Sequence, residues 1–314
     1  MLDVITVAAR SLADRAVEAA RTLTRNGEAI DDYQVVVERV AYAATEARVL
    51  AELAAVPPGL ADEARVAAAE LAQSVLHRLE PVAAALSLGE LRYDDAARMY
   101  TEWIALAPDS FQGYNNLGAV YLLQGRYGEA IPQLRRSAEI NPSLDAYSNL
   151  GTAYFYQGSM PEAARAYREA VRVGEHDSDV YYAWGNLAEA YYWGPGERER
   201  AAETYRHAIA LGTERLEVNP RNAGVLSDLA LYHAMLLEKG PASELLQRAL
   251  RLSPDDPAIQ LLAAKVQVQF GQYPAAMAAL ERSRKLGTSA FVVRDDPEFR
   301  PLASEVHYQN VARP

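Results

Sequence analysis

The sequence predicts an all-α fold built from stacked helical repeats, and three observations support that prediction. The stretch YNNLGAVYLLQGRYGEAIPQL at 114–134 is followed 33 residues later by YSNLGTAYFYQGSMPEAARAY at 147–167. An alanine recurs at a nearly constant spacing along the chain, and a large apolar or aromatic residue follows four positions after each one. A fixed period of this size is typical of solenoid proteins, in which each repeat is one supersecondary unit that packs only on its neighbours.

The repeating alanines define six repeats. They are separated by 34, 33, 38, 41 and 34 residues, so the phase is kept along most of the chain. We expect the small side chain to lie where two helices approach closely, and the large one to fill the space between them. The alanines are Ala96, Ala130, Ala163, Ala201, Ala242 and Ala276, and the large residues are Tyr100, Leu134, Tyr167, Tyr205, Leu246 and Leu280.

Three segments resemble the tetratricopeptide repeat: YNNLGAVY at 114–121, YSNLGTAY at 147–154 and WGNLAEAY at 184–191. A proline twelve residues after the alanine, as at Pro142, strengthens the resemblance, because proline cannot continue a helix. The resemblance implies a right-handed superhelical solenoid of about six antiparallel helix pairs, covering residues 75–286. Its implied role is protein–protein interaction.

Two insertions interrupt the period. One residue is added in WGPGERER at 193–200, a turn rich in glycine and proline. Seven residues are added in IALGTERLEVNPRN at 209–222, and we expect them to lengthen a helix by two turns.

The two ends of the chain lie outside the repeats. Residues 1–74 have helical periodicity and are predicted to form an N-terminal helical region that caps the array or docks to another protein. Within it, residues 27–49 faintly resemble a helical stretch of acyl-CoA dehydrogenase-like proteins. That resemblance implies an alternative function, an accessory or regulatory subunit of an enzyme system that docks through residues 1–74. Residues 287–314 are predicted to be a C-terminal capping tail, in which Phe299 and Leu302 seal the last open edge.

Composition and motifs narrow the function. The formal net charge of −11 disfavours nucleic acid and anionic membranes as partners. There is no cysteine, and the sequence lacks phosphate-loop, zinc-protease and hydrolase-elbow motifs. We therefore expect a non-catalytic protein without cofactor or metal.

The N-terminal sequence lacks a basic region followed by a long apolar run, so we expect a cytoplasmic location. Because both ends look capped, we expect a monomer or dimer.

The resemblance implies that first-helix side chains line a concave groove, which yields nine candidate partner-binding residues. An asparagine recurs at one position of three repeats, where it either hydrogen-bonds an extended peptide or holds a local turn. An aromatic cluster offers binding anchors, although some of its members must belong to the core. The candidates are Asn116, Asn149, Phe155, Tyr156, Tyr182, Asn186, Glu189, Tyr192 and Trp193.

The charges at the groove positions favour a protein or peptide ligand that is basic or apolar. The mapped groove contains Asp145, Glu189 and Asp228, with Lys265 as the counterweight. Members of the family that bind the acidic C-terminus of a chaperone use a lysine-rich clamp. Here the corresponding positions lack those lysines.

Overall fold

The structure is a computed structural model that describes residues 93–313 together with Val17. The predicted N-terminal region at 1–74 therefore lies outside the described residues, apart from Val17, which lies in a helix. Two compact units are present, residues 1–120 and 121–314. Every regular element in the described ranges is helical, which confirms the predicted all-α class.

The paired helices are 13 or 14 residues long, with one exception. In the second unit, each predicted repeat corresponds to one helix pair, and successive pairs stack on one another. The helices are α1 (Tyr93–Leu106), α2 (Phe111–Leu123), α3 (Tyr127–Ile140), α4 (Leu144–Tyr156), α5 (Met160–Val173), α6 (Val180–Trp193), α7 (Arg198–Val218), α8 (Ala223–Met235), α9 (Lys239–Leu252), α10 (Pro257–Gln269) and α11 (Tyr273–Lys285). Three short elements follow: α12 (Ala290–Asp295), a 3-10 helix (Pro297–Leu302) and α13 (Val306–Val311).

The repeating alanines lie in the core of the stack, as the spacing predicts. All six are buried, and Ala130, Ala163, Ala242 and Ala276 are wholly inaccessible. The leucines four positions later, Leu134 and Leu280, are also fully buried. Each pair buries an apolar stripe that it could not cover alone, so the repeats depend on their neighbours for stability.

Glycine at the repeat position of α4 allows two helices to approach closely. A Cβ atom added to Gly151 would lie 2.5 Å from the Tyr167 ring on α5. The aromatic residue four positions after the repeating alanine therefore fills the space above this glycine.

The turn inside a repeat requires a left-handed backbone conformation. Gly158 and Gly271 provide it with φ values of 85° and 68°, at no steric cost. In the α8–α9 turn the left-handed residue is Leu237, with φ of 61°, and its side chain is exposed. A β-carbon in this conformation costs about 1–2 kcal/mol, so this turn is strained relative to the other two.

Helix α7 contains the seven inserted residues. It has 21 residues, so the insertion adds two turns, as the sequence predicts. It ends at Val218, and Asn222 begins α8 by accepting a hydrogen bond from the backbone N–H of Val225. The two added turns do not alter the core alanine, because Ala201 remains 1% exposed at the start of the helix.

The chain after α11 does not continue the stack. Ser289 caps α12 and also donates a hydrogen bond of 2.6 Å to the backbone carbonyl of Leu123, 166 residues earlier. Tyr308 on α13 donates to the carbonyl of Val293 at 2.8 Å. The C-terminal residues are thus tied both to each other and to the beginning of the second unit. None of the helices in the described part of the chain has the length and apolar character that crossing a bilayer requires.

Candidate functional site

The first helices of the repeats form the inner face of the second unit, which we call the inner groove (α4, α6, α8 and α10). Glu189 on α6 and Lys265 on α10 belong to repeats that are not adjacent, because α8 lies between them. Their side chains nevertheless meet, with Lys265 Nζ 2.9 Å from Glu189 Oε1. The stack therefore curves toward this face, which makes it concave.

The inner groove holds the chain's own C-terminal part, residues 290–302, which we call the tail segment. Phe299 and Leu302 are 0% exposed and belong to the same apolar cluster as the aromatic residues of α4 and α6. Glu298 is 1% exposed and Asp296 is 2% exposed. The tail segment thus packs its side chains as a buried ligand would, and not as a solvated terminus.

The far end of the tail segment contacts the turn between α2 and α3. The hydroxyl of Tyr127 donates a hydrogen bond of 2.6 Å to Asp295 Oδ2. The Phe291 ring lies against Gly125, where an added Cβ atom would come within 2.5 Å of it. The tail segment therefore spans the groove from α11, at one end of the stack, to the turn that precedes α3.

Four ionisable side chains meet where the tail segment crosses α6 and α10. Lys265 Nζ lies 2.8 Å from Asp296 Oδ2 as well as 2.9 Å from Glu189 Oε1. Burial alone would lower the pKa of Lys265, but Asp296 and Glu189 raise it well above its ordinary value, so the ammonium stays charged. One ammonium faces three carboxylates, because Glu298 completes the cluster.

The fourth member, Glu298, is 1% exposed and shares the Lys265 ammonium with the other two carboxyl groups. Its side chain also forms a hydrogen bond with the Glu189 carboxyl group, which favours the protonated form of Glu298. Burial raises its pKa well above the usual range, and burial likewise raises the pKa of Asp296. The protonated form of Glu298 is favoured in this cluster, because burying another charge costs several kcal/mol.

The carboxylates of Glu189, Asp296 and Glu298 lie close enough to ligate a metal ion, with one oxygen of each within 4.8 Å of the others. The Lys265 ammonium, however, already lies within 3 Å of two of them. A cation entering the cluster would have to displace or repel that ammonium. We therefore interpret the cluster as an ion-pair network that fastens the tail segment.

The sequence-predicted aromatic residues divide between core and groove. Phe155 is 5% exposed and forms part of the apolar core. Tyr156 is half-buried, and its ring contacts Phe155 edge-on and stacks on Tyr127 at a centroid distance of 6.0 Å. Burial and the nearby Asp296 carboxylate raise the pKa of Tyr156 well above its ordinary value. Tyr156 therefore lies near Asp296 of the tail segment, and Phe155 belongs to the apolar cluster that contains Phe299 and Leu302.

Tyr192 and Trp193 end α6 side by side, with rings in an edge-on contact at 5.2 Å. Arg300 of the tail segment lies over the Trp193 ring, with Cζ 5.5 Å from its centroid. Arg198 covers the Tyr192 ring at 4.3 Å and donates a hydrogen bond to its hydroxyl. Both rings are half-buried, and each is covered by an arginine of the same chain.

The remaining candidates lie along the first helices. Tyr182 donates a hydrogen bond of 2.8 Å to Asp145 Oδ1 across adjacent repeats. Asn149 and Asn186 are half-buried at corresponding positions of α4 and α6. Asn116 is half-buried on α2, within the first unit. Glu189, the ninth candidate, is the one that the structure brings into the charged cluster.

The acidic residues assigned to the groove all have partners within the chain. Asp145 accepts from Tyr182, Glu189 pairs with Lys265, and Asp228 accepts from the hydroxyl of Tyr181 at 2.9 Å. Burial raises the pKa of Asp228 to about 7. The inner groove therefore offers less free negative charge than the sequence indicates.

The residues that sequence analysis did not assign to the site are Tyr127, Asp295, Asp296 and Glu298, and Lys265 was considered only as a counterweight. Asp296 had a usable signal, because Asp-Pro predicts a turn, and the structure shows that this turn is a helix cap. The sequence contains no such signal for Tyr127, because its partner Asp295 lies 168 residues away in the chain.

Sequence comparison identifies the repeats. Profiles described as tetratricopeptide repeat match residues 109–176, 148–215 and 242–288. None of these matches extends into residues 1–74, and the resemblance to acyl-CoA dehydrogenase-like proteins finds no support. No protein of curated function matches the sequence.

Two of the similar solved structures show the same fold, those with the higher TM-scores. A tetratricopeptide repeat protein from Parabacteroides merdae ATCC 43184 is 13% identical, with coverage of 86% of this chain and 94% of that one and a TM-score of 0.52. The APC/C hetero-tetramer Cut9–Hcn1 is 14% identical, covering 96% and 53% of the two chains with a TM-score of 0.50. A thermophilic TPR protein of Thermus thermophilus is 23% identical, covering 64% and 98% with a TM-score of 0.45. The profile matches, together with the paired helices, show tetratricopeptide repeats in residues 109–215 and 242–288.

Proposed function

We propose that this protein is a non-catalytic adaptor that binds a peptide segment of a partner protein in its inner groove. The observation that supports the proposal is the tail segment itself. A stretch of ordinary polypeptide lies in the groove with Phe299 and Leu302 fully buried. A groove that encloses one peptide segment has the dimensions and the side chains to enclose another.

The groove has the features that peptide-binding surfaces use. Aromatic rings at its floor and edge, such as Tyr156, Tyr192 and Trp193, bury a large area at low conformational cost. Asn149 and Asn186 supply amide groups that can both donate and accept hydrogen bonds. Partner binding in this groove requires the tail segment to leave, because both would contact the same side chains.

The charge preference of the groove follows from its ion pairs. The sequence favours a basic or apolar ligand, yet the three acidic residues on which that expectation depends are already partnered. Lys265, a buried cation of the groove, binds a carboxylate of the tail segment. The geometry thus supports an apolar ligand that carries a carboxylate.

Photocrosslinking in the native host tests this function. A photoreactive residue replacing Asn186 should give a crosslink to one partner, and one replacing Tyr273, which is 41% exposed on α11, should not. The double substitution Tyr192→Ala/Trp193→Ala should abolish the crosslink while the helical circular dichroism signal is retained. Crosslinks that form from position 273 and not from position 186 would place binding on another face.

A further inference from the structure

The tail segment carries a compact turn that local interactions define. Asp296 accepts a hydrogen bond of 3.0 Å from the backbone N–H of Glu298, and Pro297 follows at the first position of the 3-10 helix. An aspartate cap followed by proline favours this turn whatever surrounds it. The same turn could therefore be presented by another polypeptide.

The groove recognises this turn through one polar and one apolar contact. Lys265 Nζ lies 2.8 Å from Asp296 Oδ2, and Lys265 is itself only 6% exposed, so the pair is shielded from solvent. Three residues later, Phe299 is fully buried in the apolar cluster. The site thus recognises two groups, a carboxylate and an aromatic ring three residues after it.

The third residue of the turn, Glu298, fits the inner groove poorly. Glu298 is 1% exposed, lies beside the carboxylates of Glu189 and Asp296, and shares a single ammonium, that of Lys265, with both of them. A third carboxyl group in this buried cluster either repels its charged neighbours or takes up a proton, and each costs free energy. The chain's own segment therefore occupies the groove with a built-in penalty at one position.

We infer that the inner groove recognises, in a partner protein, an Asp-Pro-X-Phe turn in which X is uncharged, and that residues 296–299 are a weakened internal copy of that ligand. The inference rests on the proposed function and names the chemistry of its partner. A partner segment without a charge at X would bind more tightly than the internal copy and could displace it. The internal copy, in turn, would exclude segments that lack either the aspartate or the phenylalanine.

Synthetic peptides test the inference on the full-length protein. The probe is a fluorescein-labelled peptide with the sequence of residues 292–303, VVRDDPEFRPLA, in which Glu298 is replaced by Gln. The protein is the Phe299→Ala/Leu302→Ala variant, whose own tail segment has lost its buried apolar side chains. We expect saturable binding, with affinity at least ten-fold above that of the peptide that retains Glu298.

Two control peptides define the specificity. Replacing Asp296 by Asn, or Phe299 by Ala, in the labelled peptide should lower the affinity by ten-fold or more, since each removes one of the two recognised groups. The wild-type protein should bind the probe more weakly than the variant, because its own segment competes. Equal affinity for all peptides, or no binding to a variant that retains its helical signal, would overturn the inference.

A second protein variant keeps the test decisive if the first fails to fold. Asp296→Asn removes the negative charge that pairs with Lys265, keeps a side-chain oxygen that can cap the 3-10 helix, and leaves the apolar side chains of the tail segment unchanged. The same peptides are then titrated against it, with the same expected order of affinities. If the peptides do not bind but the crosslink from position 186 still depends on Tyr192 and Trp193, the groove binds a partner of different chemistry. In that case the proposed function stands and this inference fails.

Discussion

The inner groove and the outer surface of the second unit both contain paired charges, but the two sets have different energetic roles. On the outer surface, Arg165 pairs with Glu162 one helical turn away, and the two side chains are 64% and 39% exposed. In the groove, Lys265 pairs with Glu189 and Asp296 from distant parts of the chain, and the three side chains are 7%, 14% and 0% exposed.

The difference shows where charge determines structure in this protein. An exposed pair exchanges water for a partner of similar strength and contributes little to stability. A buried ion has lost its water, so each partner becomes necessary to the other. We therefore expect the inner cluster to contribute to holding the tail segment in the groove, and the outer pairs to contribute little to stability.

Replacing Lys265 should have the largest effect. Lys265→Met leaves the buried carboxylates of Glu189 and Asp296 without a cation, which should lower the free energy of unfolding by about 3–5 kcal/mol. Chemical denaturation followed by circular dichroism measures the change. Adding Glu189→Gln and Asp296→Asn to the same chain should recover most of the loss. A loss below about 1 kcal/mol for the single variant would mean that the cluster is not truly buried.

The second-largest loss of stability is expected where two first helices pack closely. A Cβ atom at Gly185 on α6 would lie 2.0 Å from the hydroxyl of Tyr232 on α8, and Tyr232 is only 5% exposed. Gly185→Ala should therefore cost about 1–3 kcal/mol through overpacking. Gly128→Ala on α3 is the matched control, because no atom lies within 4 Å of its added carbon. The control should be neutral or stabilising by up to about 1 kcal/mol in thermal or denaturant unfolding.

Docking of the tail segment should weaken as the pH rises. The pKa of Glu298 is raised by burial, so its stabilising contribution is complete below the ordinary pKa of glutamate and is lost as the pH rises through the raised value. The slope is at most about 1.4 kcal/mol per pH unit for one proton. Hydrogen exchange of the backbone amides of residues 296–302, corrected for intrinsic rates, measures it over a pH series that begins below the ordinary pKa of glutamate and continues into the alkaline range.

The variant Glu298→Gln isolates this titration from its neighbours. Asp296 faces the same cluster and has a raised pKa, and Asp228 on α8 titrates at about pH 7, so both add pH dependence of the same sign. Lys265 stays charged across the range. The variant should protect the tail segment more strongly than the wild type at high pH and show a smaller slope. Identical slopes would show that Glu298 carries no proton in the docked state.

Removing an outer pair should have the smallest effect. Arg165→Ala eliminates the contact with Glu162 on the same helix, and both groups are already well hydrated. We expect the unfolding midpoint to stay within experimental error of the wild type. A clear destabilisation would contradict the contrast between the two surfaces.

The helices that line the groove could be predicted from sequence, but the tail segment that occupies the groove could not. The recurring alanines and the three segments that resemble the tetratricopeptide repeat place Tyr156, Asn186 and Glu189 on first helices, and the structure has them there. Phe299 and Leu302 were expected at the last open edge, and the structure buries both within the inner groove. No local pattern relates Asp296 to Lys265, because neither the turn nor α10 contains information about the other.

The sequence alone determined the helix pairs, since the periodic alanines, the left-handed glycines and the helix-ending prolines act within one repeat or between neighbours. The tertiary structure decided which residues meet across the groove. Glu189 and Lys265 touch only because small rotations between successive repeats add up to a curve. The resulting curvature is a property of the whole stack of repeats. The position of the tail segment in the groove depends on contacts between residues more than 100 positions apart, such as the one between Tyr127 and Asp295.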